Sequence, residues 1–114
     1  MLVLSPLHKY VSETTLKPAA NSDGSITLPE KDEVVVGKAN TCDLQLDLID
    51  VSSRHAVLRR DGKSVFVTDG YNNKPSRYGT TINGEPVSRI TVIKVNDQIC
   101  FSSAGFIVKA INLK

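Results

Sequence analysis

The chain is punctuated by glycines that follow a short polar residue. Four of its seven glycines sit in Asp23-Gly24, Asp61-Gly62, Asp69-Gly70 and Asn83-Gly84. Such pairs tolerate the positive φ angles of tight turns and leave room between them only for short extended runs. "DLQLDL" at Asp43 to Leu48 alternates, and "AVLR" at Ala56 to Arg59 and "SVFVT" at Ser64 to Thr68 each carry one face to bury. The last two flank Asp61-Gly62 and predict a hairpin whose register that turn fixes. Further strands are expected at Met1 to Leu4, Glu33 to Val36, Ile90 to Val95, Gln98 to Ser102 and Phe106 to Ile111. No segment keeps a helical period, and 13 Val, 8 Ile and 8 Thr make a quarter of the residues β-branched. The expected class is all-β, a two-sheet antiparallel β-sandwich.

With 114 residues, the chain is expected to form one domain over 1–114, large enough for a core without disulfides or a structural metal. Lys17 to Ser25, "KPAANSDGS", is expected to be a flexible loop or long connection, and "GYNNKPSR" at Gly70 to Arg77 a second loop. Fourteen basic against 12 acidic residues leave a net charge of +2, too little for the electrostatic footprint of a duplex-binding domain or an anionic membrane surface. Six aromatic residues offer few stacking platforms, so nucleic acid is an unfavoured partner. No apolar run approaches the ~18 residues of a membrane span, and the opening lacks the pattern of a signal peptide. Cys42 and Cys100 lack metal-ligand spacing and read as packed free thiols of a reducing, intracellular compartment. Neither a metal nor a cofactor is expected.

Three loop motifs gain meaning from their order: "VVVGKAN" at Val34 to Asn40, "VSSRHAVL" at Val51 to Leu58 and "SRYGTTING" at Ser76 to Gly84. Gly37 ends an apolar run and lets the chain turn, placing Lys38 at a loop tip. Ser52 and Ser53 supply hydroxyl and N–H donors, and Arg77 a second cation. Two cations and two hydroxyls converging at loop tips suit a phosphate monoester, which carries nearly two charges and three acceptor oxygens. A hydrolytic reading of Ser52 or Ser53 with His55 and Asp50 fails on reach: residues two apart on a strand stand ~7 Å from each other. Arg54, Arg59, Arg60 and Lys63 alternate faces on the predicted hairpin and read as a solvated outer surface.

Taken together, Gly37-Lys38, Ser52-Ser53-Arg54-His55, Gly79-Thr80 and Asn83-Gly84 resemble the forkhead-associated (FHA) domain family over about Val34 to Ile111. The resemblance implies an eleven-stranded sandwich and a non-catalytic module that binds phosphothreonine-containing proteins or peptides across the loops at one end. It implies Lys38 and Ser52 as phosphate contacts, Ser53, Arg77 and Tyr78 beside them, and Gly37, His55, Gly79, Thr80, Asn83 and Gly84 as loop-forming residues. Lys38 stands where the family has Arg, keeping the charge but losing the planar fork. Tyr78 stands where many members have an Asn that pairs with the peptide backbone. The Ser76-Arg77-Tyr78-Gly79-Thr80 run is similar to that of an FHA domain heading a DNA-repair adaptor, which implies the nucleus, DNA-damage signalling and acidic phosphorylated repeats as partners. The alternative is a phosphate-independent scaffold or dimerisation sandwich using a sheet face or edge.

Overall fold

The computed structural model describes residues 2–7, 16–18 and 20–111. Among these residues there are twelve strands and no helix. They are β1 (Leu2–Pro6), β2 (Leu16–Lys17), β3 (Ile26–Thr27), β4 (Glu33–Gly37), β5 (Leu44–Leu46), β6 (Ala56–Asp61), β7 (Ser64–Asp69), β8 (Thr80–Ile82), β9 (Glu85–Pro86), β10 (Thr91–Ile93), β11 (Gln98–Phe101) and β12 (Ala104–Ile111). They form two six-stranded sheets, ordered β3-β1-β12-β11-β8-β9 and β10-β7-β6-β4-β5-β2. The expected sandwich is therefore present, and short strands such as β2, β3 and β9 bring the number above eleven.

Alternation builds the core. Val34 and Val36 of β4, Leu44 and Leu46 of β5, Ala56 and Leu58 of β6, and Val65 and Val67 of β7 face Leu4, Ile99, Phe101, Phe106 and Val108 of the other sheet in one apolar cluster. Each large aliphatic or aromatic side chain buried this way contributes about 1.5–3 kcal/mol. His55 and Thr80 are buried polar exceptions, and the His55 ring meets Phe101 edge-on at 6.2 Å. The expected hairpin pairs Ala56 with Asp69 through to Asp61 with Ser64, closed by Gly62 at φ 61°. Glycine at the first position of a two-residue hairpin turn gives that loop its positive φ.

Two features differ from the sequence expectation. The strand pairs are antiparallel except β4 with β5, which run parallel with Val36 opposite Leu44 and Gly37 opposite Gln45. Parallel neighbours ordinarily need a crossover of a dozen or more residues. The short connection is tied down instead: Val35 donates its N–H to the Asp43 carboxylate, Asp43 donates its own to the Val35 carbonyl, and Gln45 bonds the Lys38 carbonyl. Within the stretch expected to be a loop, Lys17 belongs to β2, and Asn21 to Ser25 close a hydrogen-bonded turn in which the Asp23 carboxylate accepts from Ser25 and Lys109.

The C-terminal ends of β4, β7 and β11 and the N-terminal ends of β6, β8 and β12 lie at one end of the sandwich, as the antiparallel registers require. Loops from both sheets meet there.

Candidate functional site

The end formed by these loops holds an open pocket of about 310 Å³ lined by Lys38, Ile49, Asp50, Val51, Ser52, Ser53 and Arg77. Four of the five expected ligand contacts, Lys38, Ser52, Ser53 and Arg77, are thus brought together from three loops. Tyr78 is exposed next to Arg77 and is not among the lining residues.

Backbone bonds set the geometry. The amides of Lys38 and Ala39 donate to the carbonyls of Ser52 and Ser53 at 2.9 and 3.0 Å, and His55 N–H donates to Val36 at 2.7 Å. The approach is close enough that a Cβ on Gly37 would lie 2.8 Å from the Ser53 carbonyl carbon and 2.9 Å from Arg54 Cα. The reason for Gly37 is therefore the missing side chain rather than freedom to turn; its φ lies outside the left-handed region. The reverse holds for Gly79, which has φ 90° and open space where a Cβ would go. It serves backbone conformation, not relief of crowding.

His55 is wholly buried and joins two loops. Its Nδ1 accepts from Ser52 N–H at 3.1 Å and its Nε2 bonds the Gly79 carbonyl at 2.8 Å, which assigns the ring proton to Nε2. Both nitrogens are occupied by backbone, and neither bonds a serine hydroxyl. The Ser52 hydroxyl instead accepts from Arg77 N–H at 2.9 Å, so its own proton remains available to the pocket. Asp69, which sequence reasoning read only as half of an Asp-Gly turn, organises the third loop. Its carboxylate accepts from Ser76 N–H, Ser76 Oγ and Thr80 Oγ1, while Ser76 Oγ in turn accepts from Gly79 N–H. Asn83 and Gly84 take φ 53° and 84° in the β8–β9 turn, and the Asn83 amide bonds Asp97 and Gln98.

Asp50 is the acidic member of the pocket. Its Oδ2 accepts from Ser102 Oγ at 2.8 Å and Ser103 N–H at 3.1 Å. Hydrogen bonding by the Ser103 side chain, with smaller help from Ser102 and the Ser103 amide, holds this carboxyl below its usual range against the opposing effect of burial. Ion pairs among the described residues join Lys31 to Asp43, Arg59 to Glu33, Arg60 to Asp32 and Lys109 to Asp23, leaving Lys38 and Arg77 uncommitted. The exposed Arg54 lies 5.0 Å from the Tyr71 ring centre, a cation–π contact outside the pocket.

Residues 34–102 match the FHA domain family model. The chain belongs to the FHA domain family. No curated protein sequence matches it. A solved structure from a structural and functional analysis of phosphothreonine-dependent FHA domain interactions is 24% identical, with TM-score 0.70 over 98% of both chains. The FHA domain of the CT664 protein from Chlamydia trachomatis is 19% identical, with TM-score 0.70 over 96% of both. EmbR of Mycobacterium tuberculosis, in complex with a low-affinity phosphopeptide, is 18% identical; TM-score 0.73 covers all of this chain and 25% of EmbR. At these identities the structures establish a shared fold. In this FHA domain Lys38 after β4, Ser52 and Ser53 before β6, and Arg77 before β8 fall on the loops at one end, whereas Asn83-Gly84 of the third motif turns at the opposite end of β8.

Proposed function

We propose that this FHA domain is a non-catalytic module that captures phosphothreonine-containing proteins through the pocket at Lys38, Ser52, Ser53 and Arg77. The observation that carries the reading is the Ser52 hydroxyl. Arg77 N–H orients its oxygen, leaving its proton to donate beside two cations that have no carboxylate partner among the described residues. A phosphate dianion supplies the missing acceptors, and charge-assisted hydrogen bonds of this kind are worth about 1.5–3 kcal/mol each. After the cost of ordering a flexible peptide, the affinity expected is of micromolar order. Without its phosphate, the same peptide leaves both cations unpaired, so binding acts as a switch.

The finer reading places the domain in the nucleus, in DNA-damage signalling. Its support is the likeness of Ser76-Arg77-Tyr78-Gly79-Thr80 to the corresponding run of a repair-adaptor FHA domain. Titration with matched phosphothreonine, phosphoserine and unmodified peptides tests the molecular function: the phosphothreonine peptide binds tightest, and equal weak binding of all three refutes it. Recruitment of the tagged protein to induced DNA breaks, lost with Ser52→Ala, tests the cellular role.

A further inference from the structure

We infer that Asp50 pairs with a lysine or arginine of the bound peptide, so that this domain selects a phosphothreonine flanked by a basic residue. The inference rests on the phosphopeptide reading above and deepens it. Asp50 lines the same pocket as Lys38, Ser52, Ser53 and Arg77. A carboxylate there repels the phosphate and weakens the site unless a cation in the ligand compensates it. Asp50 is also fixed in place: Ser102 Oγ and Ser103 N–H, across the mouth of the sandwich, donate to its Oδ2, and the Ser103 side chain bonds the carboxylate as well. Those bonds hold its carboxyl below the ordinary carboxylate range. None of the ion pairs among the described residues involves Asp50.

The neighbouring residue completes a subsite for a long basic side chain. Ile49 lines the pocket too and is 93% exposed. An aliphatic surface beside a fixed carboxylate matches lysine and arginine, whose methylene stems cover apolar surface while their charged heads seek an anion. A glutamate or aspartate flank meets like charge at Asp50, which argues against the acidic repeats implied by the sequence resemblance.

The test uses phosphothreonine peptides carrying lysine, norleucine or glutamate at successive positions on either side of the phosphate. Norleucine keeps the stem and removes the charge. At one position lysine binds about fivefold tighter than norleucine, the scale of one well-placed ion pair, and the preference shrinks as salt rises. Asp50→Asn keeps one acceptor oxygen for Ser102 and Ser103 but carries no charge; it brings the lysine-to-norleucine ratio close to one, and Asp50→Lys inverts it. A ratio unchanged by Asp50→Asn, or no charge preference at any position, overturns the inference while leaving phosphate-dependent capture intact. Equal binding of phosphorylated and unmodified peptides overturns both. Unfolding midpoints of each variant show whether a changed ratio comes from a folded domain.

Discussion

Replacing Gly37 with alanine tests how the phosphate loops are held. The added Cβ would stand 2.8 Å from the Ser53 carbonyl carbon and 2.9 Å from Arg54 Cα, with the Ser53 oxygen closer still, where ordinary contact begins at 3.4 Å. All three obstacles are backbone, so no rotamer change relieves them. Strand β4 and the Ser52–Ser53 segment must part by about 1 Å to restore van der Waals spacing. That movement stretches the bonds joining Lys38 to Ser52, Ala39 to Ser53 and His55 to Val36, now 2.9, 3.0 and 2.7 Å, beyond useful length. Overpacking costs about 1–3 kcal/mol and each of the three lost backbone bonds about 1 kcal/mol, so Gly37→Ala is expected to destabilise the fold by about 4–6 kcal/mol. Urea unfolding at neutral pH reads the stability, and amide resonances of Ser52, Ser53 and Arg54 read the displacement. Phosphopeptide affinity falls at least tenfold, because the loops that carry Lys38 and Ser52 into one pocket lose their spacing. A loss below about 0.5 kcal/mol with those resonances unmoved refutes the close-packing argument, since a surface substitution costs no more.

Lys38→Arg restores a planar fork able to hold two phosphate oxygens and is expected to tighten phosphopeptide binding several-fold, while Lys38→Ala weakens it about tenfold; calorimetric titration decides, and an unchanged affinity in both removes Lys38 from the site. Asp23 and Asp50 both carry folded-state pKa values below their ordinary ones, Asp23 chiefly through Lys109 and then Ser25, Asp50 chiefly through Ser103. Their stabilising effect is therefore complete above the unfolded carboxyl pKa near 3.9 and is lost as pH falls through the lower folded values. Denaturant midpoints should hold between about pH 7 and 5 as far as these two groups govern them, then drop below about pH 4, with a smaller drop in Asp50→Asn. An identical acid loss in that variant removes Asp50 from the account.

Much of the frame was legible because its signals are local. The β6–β7 hairpin follows from two alternating runs around Asp61-Gly62, and the strands of the central core from β-branched positions spaced by two. What was missed depends on partners distant in sequence. Thr80-Thr81-Ile82 alternates as a strand should, but Gly79 and Asn83-Gly84 on either side made it read as loop; pairing with β11 makes it β8. "DLQLDL" shortens to three paired residues: the Asp43 carboxylate turns back to β4 at one end, and Leu48 N–H bonds the Leu46 carbonyl at the other. The candidate site was legible as residue types, yet the duties of Asp69 and Asp50 were not: one gathers Ser76 and Thr80, the other reaches Ser102 and Ser103. For Gly37 the position was right and the physical reason was not, because close approach of a distant loop's backbone, here Ser53 and Arg54, leaves no trace in a sequence.

The loops around the pocket come from both layers of the sandwich, and three buried or half-buried side chains tie the layers there: His55 to Gly79, Asp69 to Thr80 and Asp50 to Ser102. The rim is thus a seam. On the proposed function, a phosphate held between Lys38 and Arg77 would close that seam, and its binding energy would then resist separation of the sheets. The domain's equilibrium stability would then rise with phosphopeptide concentration once that concentration exceeds the Kd.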